Sequence, residues 1–378
     1  MKRYILLAKI LIIGALADSL RNFRGDLINS LVFEGHDVFV MAGNADNYTR
    51  TRIEELGAAF SSYPVQRNGL NPLYDLATFF SLRNAIIKLN PEIVLAYTIK
   101  PVIWGGLALI TLKKKLRFYA LITGLGLAFQ PGYLKQKVLS GFVTKLYRIA
   151  LIRAQKVIFQ NKDNMQEFID RNIVKPQKCF IVNGSGVNTS YFKSTSFSQG
   201  PLVFLTIARL LGDKGLREYV QAAAIVKSKY PNVVFNILGP IDPSPDGISI
   251  EELKSWQVSG AINYLGSTID VRPFIKNCHV YVLASFHEGM PRTVLEAMSM
   301  GRPILTTNVP GCRETVLHGK NGYLVPVRDV MALVERMIWF VNNRSELAQM
   351  GIKSRQIVEE RFDVKKINKE MLSFMGLR

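Results

Sequence analysis

Cysteine is scarce in this chain: only Cys179, Cys278 and Cys312 occur, set far apart. No spacing among them suits a metal site, and an odd number argues against a disulfide framework. A reducing cytoplasm is the simplest compartment for such a chain. Low-complexity stretches are missing, as is repetition at solenoid periods. Acidic residues are also few, with 29 Asp and Glu against 48 Lys and Arg, a formal charge of +19. That imbalance implies a polyanionic partner (nucleic acid, anionic lipid or a phosphorylated substrate) or a basic surface kept for solubility. No recognised nucleic-acid module stands in the sequence. The apolar run from Tyr4 to Ala17, after Met1-Lys2-Arg3, falls short of the roughly 20 residues of a membrane span. Ala17-Asp18-Ser19 makes a poor cleavage site, so the run reads as the first buried strand of a parallel sheet rather than a signal peptide.

What is present is length and apolar content. The 378 residues, 48% of them apolar, suit two domains of roughly 150–200 residues with full cores. Apolar runs alternate with helical patterns. Ile5–Ile13, His36–Met41, Ile93–Tyr97, Leu116–Ile122 and Lys156–Gln160 read as strands; Arg24–Glu34, Leu73–Leu89 and Leu134–Ala154 read as helices. A polar stretch rich in Ser and Thr between Val187 and Pro201 reads as the linker. The alternation restarts with strand Leu202–Ala208, helix Leu216–Ser228 and strand Val233–Leu238. Ile262–Leu265, Val280–Ala284, helix Thr293–Met300 and strand Pro303–Thr306 follow. Two doubly wound α/β domains are expected, 1–187 and 201–360, with 361–378 a helix returning to the first. In such sheets ligands sit at the carboxyl ends of the strands, and two such ends facing each other would make a cleft.

The stretch Ser285 to Pro303 carries a chemical pattern. Glu288 and Gly289 fall in the loop after the strand Val280–Ala284. A helix starting near Pro291 would aim the backbone N–H groups of Arg292, Thr293, Val294 and Leu295 at an anion, suiting a diphosphate. Gly289 allows close backbone approach, with Met290 beside it. Glu296, eight residues after Glu288, suits a ribose diol, and Glu288 a hexose. The alternative is that both are solvated acids at a helix start.

Glu288 to Glu296 resembles the E-x7-E motif of the family 4 retaining glycosyltransferases, which have the GT-B fold of two facing Rossmann-like domains. The surrounding Glu-Gly-Met-Pro-Arg-Thr-Val-Leu-Glu-Ala-Met-Ser-Met-Gly-Arg-Pro-Ile, Gly311-Cys312-Arg313-Glu314 and Asn321-Gly322-Tyr323-Leu324-Val325 extend the likeness. A second match is Ala208-Arg209-Leu210-Leu211-Gly212-Asp213-Lys214-Gly215. The resemblance implies that Arg209 and Lys214 meet the donor's diphosphate and stabilise the leaving nucleotide, so that no metal and no cofactor is required. Taken alone, the pair reads equally as surface charge. The resemblance further implies a nucleotide-sugar domain in the C-terminal half, an acceptor domain in the N-terminal half, and front-face attack with retention. The departing phosphate would accept the acceptor's proton, and no protein nucleophile stands out.

The N-terminal half departs from the family. Many relatives carry a Gly-Gly pair after the first strand; here the loop reads Asp18-Ser19-Leu20-Arg21-Asn22-Phe23-Arg24-Gly25, in which Ser19 can bond a donor phosphate and Arg21 and Arg24 can reach phosphates. Relatives often place a His near Thr98–Lys100, where this chain has none; Lys100 contacts the acceptor or is a simple strand-end lysine. Ala96-Tyr97-Thr98-Ile99-Lys100-Pro101, Trp104-Gly105-Gly106 and Thr123-Gly124-Leu125-Gly126 resemble enzymes that extend saccharides on undecaprenyl diphosphate in O-antigen, capsule or glycan assembly. Pro131–Val157 is a basic amphipathic pattern, suited to anionic lipid or to packing on its own sheet.

The expectation is transfer of a hexose or N-acetylhexosamine from a UDP-sugar to a lipid-linked saccharide by a cytoplasmic protein. Its seat would be peripheral, on the inner face of the plasma membrane, with no nucleic-acid partner. The rivals are a nucleotide-sugar epimerase on the same fold, a dehydrogenase, which lacks its G-x-G-x-x-G after the first strand, and a non-enzymatic polyanion- or membrane-binding protein.

Overall fold

The computed structural model describes residues 7–66, 71–126, 129 and 134–377, the last stretch without the side chains of 134–136. Of the sequence readings, Tyr4–Leu6 and Pro131–Tyr133 lie outside those residues. The chain divides into two compact units, Met1–Ser185 with Lys365–Arg378, and Gly186–Val364.

Unit 1 is built on seven parallel strands: β1 (Lys9–Ile13), β2 (Asp37–Ala42), β3 (Ala59–Ser62), β4 (Ile93–Tyr97), β5 (Arg117–Ile122), β6 (Ala154–Phe159) and β7 (Cys179–Ile181). Their order is β3-β2-β1-β4-β5-β6-β7. Because side chains alternate along a strand, Ile10 and Ile12 enter one core and Leu11 and Ile13 the other. The first core takes Leu27, Ile28 and Leu31 from the helix Gly25–Phe33, and Ile367 and Met371 from the helix Val364–Phe374. The second takes Leu82 and Ile86 from the helix Pro72–Leu89, Val102 and Leu109 from Ile99–Ile110, and Tyr147 from Leu134–Ala150. A strand covered on both faces is apolar at successive positions, which is why Ile10–Ile13 reads as a continuous run.

Unit 2 repeats the plan with β8 (Val203–Ile207), β9 (Val234–Leu238), β10 (Asn263–Tyr264), β11 (Val280–Leu283), β12 (Ile304–Thr307) and β13 (Gly322–Val325), all parallel. The order is β10-β9-β8-β11-β12-β13. Both units are therefore doubly wound, Rossmann-like sheets, and each has a point where successive crossovers diverge: between β1 and β4, and between β8 and β11. Ligands of such sheets bind at these points, beyond the strands' carboxyl ends.

Residues 188–200, read as a linker, are packed into unit 2. Phe192 lies in the core with Val294 and Leu295. The fully buried Arg302 guanidinium donates to the carbonyls of Thr195 and Ser196 at 3.1 and 3.3 Å. A Ser/Thr-rich composition signals missing periodicity, not missing contacts.

Candidate active site

The chain leaves β8 through Ala208 and Arg209, makes a 3-10 turn at Gly212–Lys214, and enters the helix Leu216–Lys229 after Gly215. Gly215 has φ +66°, and a Cβ there would stand 2.0 Å from the Ala284 carbonyl oxygen at the end of β11. Only glycine lets the two strand ends approach this closely. The loop after β9 clamps the turn from the other side. Leu210 N–H donates to the Pro240 carbonyl at 2.9 Å, Gly212 N–H to the Asp246 carbonyl at 2.8 Å, and Asp213 N–H to Asp246 Oδ2 at 2.9 Å.

From β11 the chain runs through Ala284–Met290 into the helix Arg292–Ser299, with Pro291 in the capping position. Phe286 N–H donates to the Asp213 carbonyl at 2.9 Å, stitching this loop to the first. The stitch brings Lys214 Nζ to 2.8 Å from Glu288 Oε1, and the Ser285 hydroxyl donates to the same oxygen at 2.9 Å. Burial works against the Lys214 charge, but Glu288 and Asp213 outweigh it and hold its pKa above the usual lysine value. Lys214 is thus an ammonium at neutral pH.

Glu296 lies on the second turn of its helix, 8% exposed, and accepts from Arg292 Nε at 3.0 Å. Burial raises its pKa above the usual carboxylate value, with Arg292 opposing. Neither glutamate is a solvated acid at a helix start. Arg209 Nη1 donates to Asp242 Oδ2 at 2.6 Å. Burial of Asp242 opposes its ionisation, yet hydrogen bonds from Ser244 and the Arg209 charge prevail and hold its pKa below the usual value. The Tyr281 hydroxyl, buried under the site, donates to Thr293 Oγ1 at 2.7 Å and accepts from Ile207 N–H at 3.3 Å, tying the end of β8 to the start of the helix. Cys312 is no nucleophile, since burial pushes its thiol up to about 12.

The expected row of N–H donors from Arg292 to Leu295 needs correction. Val294 and Leu295 both donate to the Pro291 carbonyl, at 3.2 and 3.3 Å, because the first turn closes on its own cap. Their side chains, and Met290 in part, belong to the core beneath. Gly289 and Thr293 remain on the loop and the first turn.

Ser19 and Lys100 belong to unit 1, each at the β1/β4 switch point. The segment Asp18–Gly25, read as a loop, is helical: Ala17–Ser19, a π-helical turn at Leu20–Arg24, then the helix Gly25–Phe33. Leu20, fully buried in the first core, and the buried Arg24 hold this segment against the sheet. Gly14 sits directly against Tyr97, whose hydroxyl oxygen would be 2.3 Å from a Cβ there. Ser19 Oγ shares a 2.7 Å hydrogen bond with that hydroxyl, and burial pushes the Tyr97 pKa to about 12. Arg24 is buried over the Tyr97 ring. Lys100 is in the first turn of the helix Ile99–Ile110 rather than at a strand end, and pairs with Asp75 at 2.5 Å. Thr98, which caps that helix, has φ +68°, a strained value for a residue with a Cβ.

The deciding comparison is a protein of Campylobacter jejuni, an N,N'-diacetylbacillosaminyl-diphospho-undecaprenol alpha-1,3-N-acetylgalactosaminyltransferase. It is 30% identical to this chain, over 84% of the chain and 85% of that protein. The model of Glycosyltransferase Family 4 matches residues 25–190, and that of Glycosyl transferases group 1 matches residues 187–357. This chain belongs to glycosyltransferase family 4. The family 4 chain is also 25% identical to the capsular polysaccharide biosynthesis glycosyltransferase CapM of Staphylococcus aureus, over 79% of the chain and 82% of that protein. In fold it matches Anabaena HepE, solved in complex with UDP, at a TM-score of 0.77 and 17% identity, covering 97% of this chain and 99% of that one. It matches a sucrose-phosphate synthase of Thermosynechococcus elongatus at 0.80 and 16%, covering 97% and 98%. The family 4 protein is thus a glycosyltransferase of the GT-B class, and the epimerase, dehydrogenase and simple binding-protein readings fall away.

Among the described residues no group of three His, Cys, Asp or Glu is placed to hold a metal, and no helix is long and apolar enough to cross a membrane. Asp242, Ser285 and Tyr281 were missed from the sequence. Asp242 lies 33 residues from the arginine it holds, and no local pattern links the two.

Proposed function

We propose that the protein transfers a hexose or N-acetylhexosamine from a UDP-sugar to a lipid-diphosphate-linked saccharide in bacterial surface glycan assembly, with retention of anomeric configuration. The observation that carries the reading is the junction at the β8/β11 switch point, where the Arg209–Lys214 loop and the Glu288–Glu296 loop are locked together by the Lys214–Glu288 pair. Arg209 and Lys214 take the diphosphate, charge meeting charge where negative charge grows as the glycosidic bond breaks. Glu296 accepts from the ribose hydroxyls, and Glu288 orients the sugar. The leaving β-phosphate oxygen receives the acceptor's proton as the new C–O bond forms on the face the nucleotide leaves. These side chains supply the charge stabilisation without a metal or cofactor.

Ser19, at the switch point of unit 1, serves as a phosphate contact, and Lys100 serves the acceptor side. The Campylobacter relative is named for a diphospho-undecaprenol conjugate, which supports reading this chain as a peripheral protein of the inner face of the plasma membrane. The exposed Lys137, Lys145 and Arg148 of the helix Leu134–Ala150 suit an anionic membrane surface.

Arg209→Ala and Glu288→Ala test the assignment. Each is expected to lower turnover by about 10²–10³ with circular dichroism unchanged. Near-normal turnover in both folded variants contradicts it.

A further inference from the structure

The helix Pro72–Leu89 carries apolar residues on two opposite sides, with Ser81, Asn84 and Lys88 along a third. Thr78, Leu82 and Ile86 face the core of unit 1. On the opposite side Leu73, Leu76, Phe80 and Ile87 follow one another at helical spacing, and all four are exposed, Leu73 by 76% and Phe80 by 49%. A helix that packs one apolar side on a core ordinarily keeps the opposite side polar, and an exposed apolar stripe there marks an interaction surface. Two helices along, past Ile99–Ile110, the helix Leu134–Ala150 adds exposed Val138, Phe142 and Ile149. All three helices cover the same face of the unit 1 sheet, since they share its second core.

The three helices carry seven Lys and Arg (Arg83, Lys88, Lys100, Lys135, Lys137, Lys145 and Arg148) against one acid, and the stretch that contains them is basic as a whole. From Pro72 to Arg153 the chain has twelve Lys and Arg against two acids, Asp75 and Glu92. That is +10 of the net +19, in less than a quarter of the chain. Asp75, the one acid on the three helices, is neutralised by Lys100. Lys88, Lys137 and Lys145 on these helices are exposed, as are Lys113 and Lys115 in the connection that follows Ile99–Ile110.

We infer that this helical layer seats on an anionic bilayer, with the stripe Leu73, Leu76 and Phe80 inserted among the lipid chains and the surrounding lysines at the headgroups. Apolar anchors with a basic surround bind anionic lipid by both terms together. A second copy of the chain fits poorly, because two such faces would bring like charge against like. The inference extends the surface reading of the helix Leu134–Ala150, and the experiment separates the two.

The full-length protein is sedimented with vesicles of equal parts phosphatidylethanolamine and phosphatidylglycerol, and with phosphatidylcholine vesicles. The wild type is expected to bind the anionic vesicles selectively. Leu76→Ser with Phe80→Ser is expected to weaken that binding roughly tenfold or more, while melting temperature and UDP binding stay unchanged. Lys137→Glu with Lys145→Glu is expected to weaken it as well, most strongly at low salt. If only the charge variant loses binding, the Leu134–Ala150 surface stands and the inference about the stripe is overturned. A wild type that ignores anionic vesicles overturns both surfaces and leaves the transfer reading intact. A dimer by light scattering that the serine variant splits, with vesicle binding unaltered, assigns the stripe to self-association instead.

Discussion

Lys214 and Glu288, 2.8 Å apart and both largely shielded from water, show how single residues are set here: each charge is held by a partner from another loop. Arg209 is held by Asp242 in the same way. Asp242→Asn keeps the shape and removes the charge that aims Arg209, so kcat/KM for the donor is expected to fall about tenfold with the melting temperature nearly unchanged. Steady-state kinetics checks this, and an unchanged kcat/KM contradicts it. Glu296 carries a pH dependence. Its folded pKa lies above the usual 4.5 because burial penalises the charge. The folded state therefore binds its proton more tightly than the unfolded chain does. The stability this contributes is complete below pH 4.5 and is lost as pH rises through the raised value. A ribose diol needs the ionised form, so UDP affinity is expected to weaken as pH falls through that same raised value. Calorimetry against pH reads it, and Glu296→Gln should bind UDP weakly with the dependence gone. These glutamates and cations were visible in the sequence because short motif spacing carries them. Their partners were not: Asp242 and Tyr281 reach the site through the fold, and sequence distance hides them.

At the scale of elements, strands and helices could be read wherever burial enforces a period. Ile93–Tyr97 matches β4 to the residue, since every one of its side chains is buried. Segments whose order comes from particular contacts were misread. The helical Asp18–Arg24 segment reads as a loop because its sequence has no clear apolar period, and the packed residues 188–200 read as a linker. One glycine decides how the two site loops meet. Gly215→Ala would place a Cβ 2.0 Å from the Ala284 carbonyl oxygen in a left-handed conformation. It is expected to destabilise unit 2 by about 2 kcal/mol or more and to lower activity further than stability alone explains, because Lys214 and Glu288 would part. Thermal melts and kinetics on the same sample check both effects.

Over the whole molecule, the same winding order in both units puts the candidate residues of each at its own switch point, and this was legible from strand–helix alternation together with two motifs. The uneven charge is legible in the sequence as a total and as one basic amphipathic segment, Pro131–Val157. Its concentration on one helical layer of unit 1 needs the fold, because Lys88, Lys100 and Lys145 belong to three different helices. The central claim is sugar transfer from a UDP-sugar to a lipid-linked saccharide. The most direct measurement incubates the purified protein with a panel of UDP-sugars and a polyprenyl-diphosphate-linked saccharide, reading UDP release, product mass and product anomer together. The account predicts one UDP released for each lipid made heavier by one hexose or N-acetylhexosamine, with the donor's anomeric configuration kept. UDP release without a heavier lipid, or a product of inverted configuration, would contradict it.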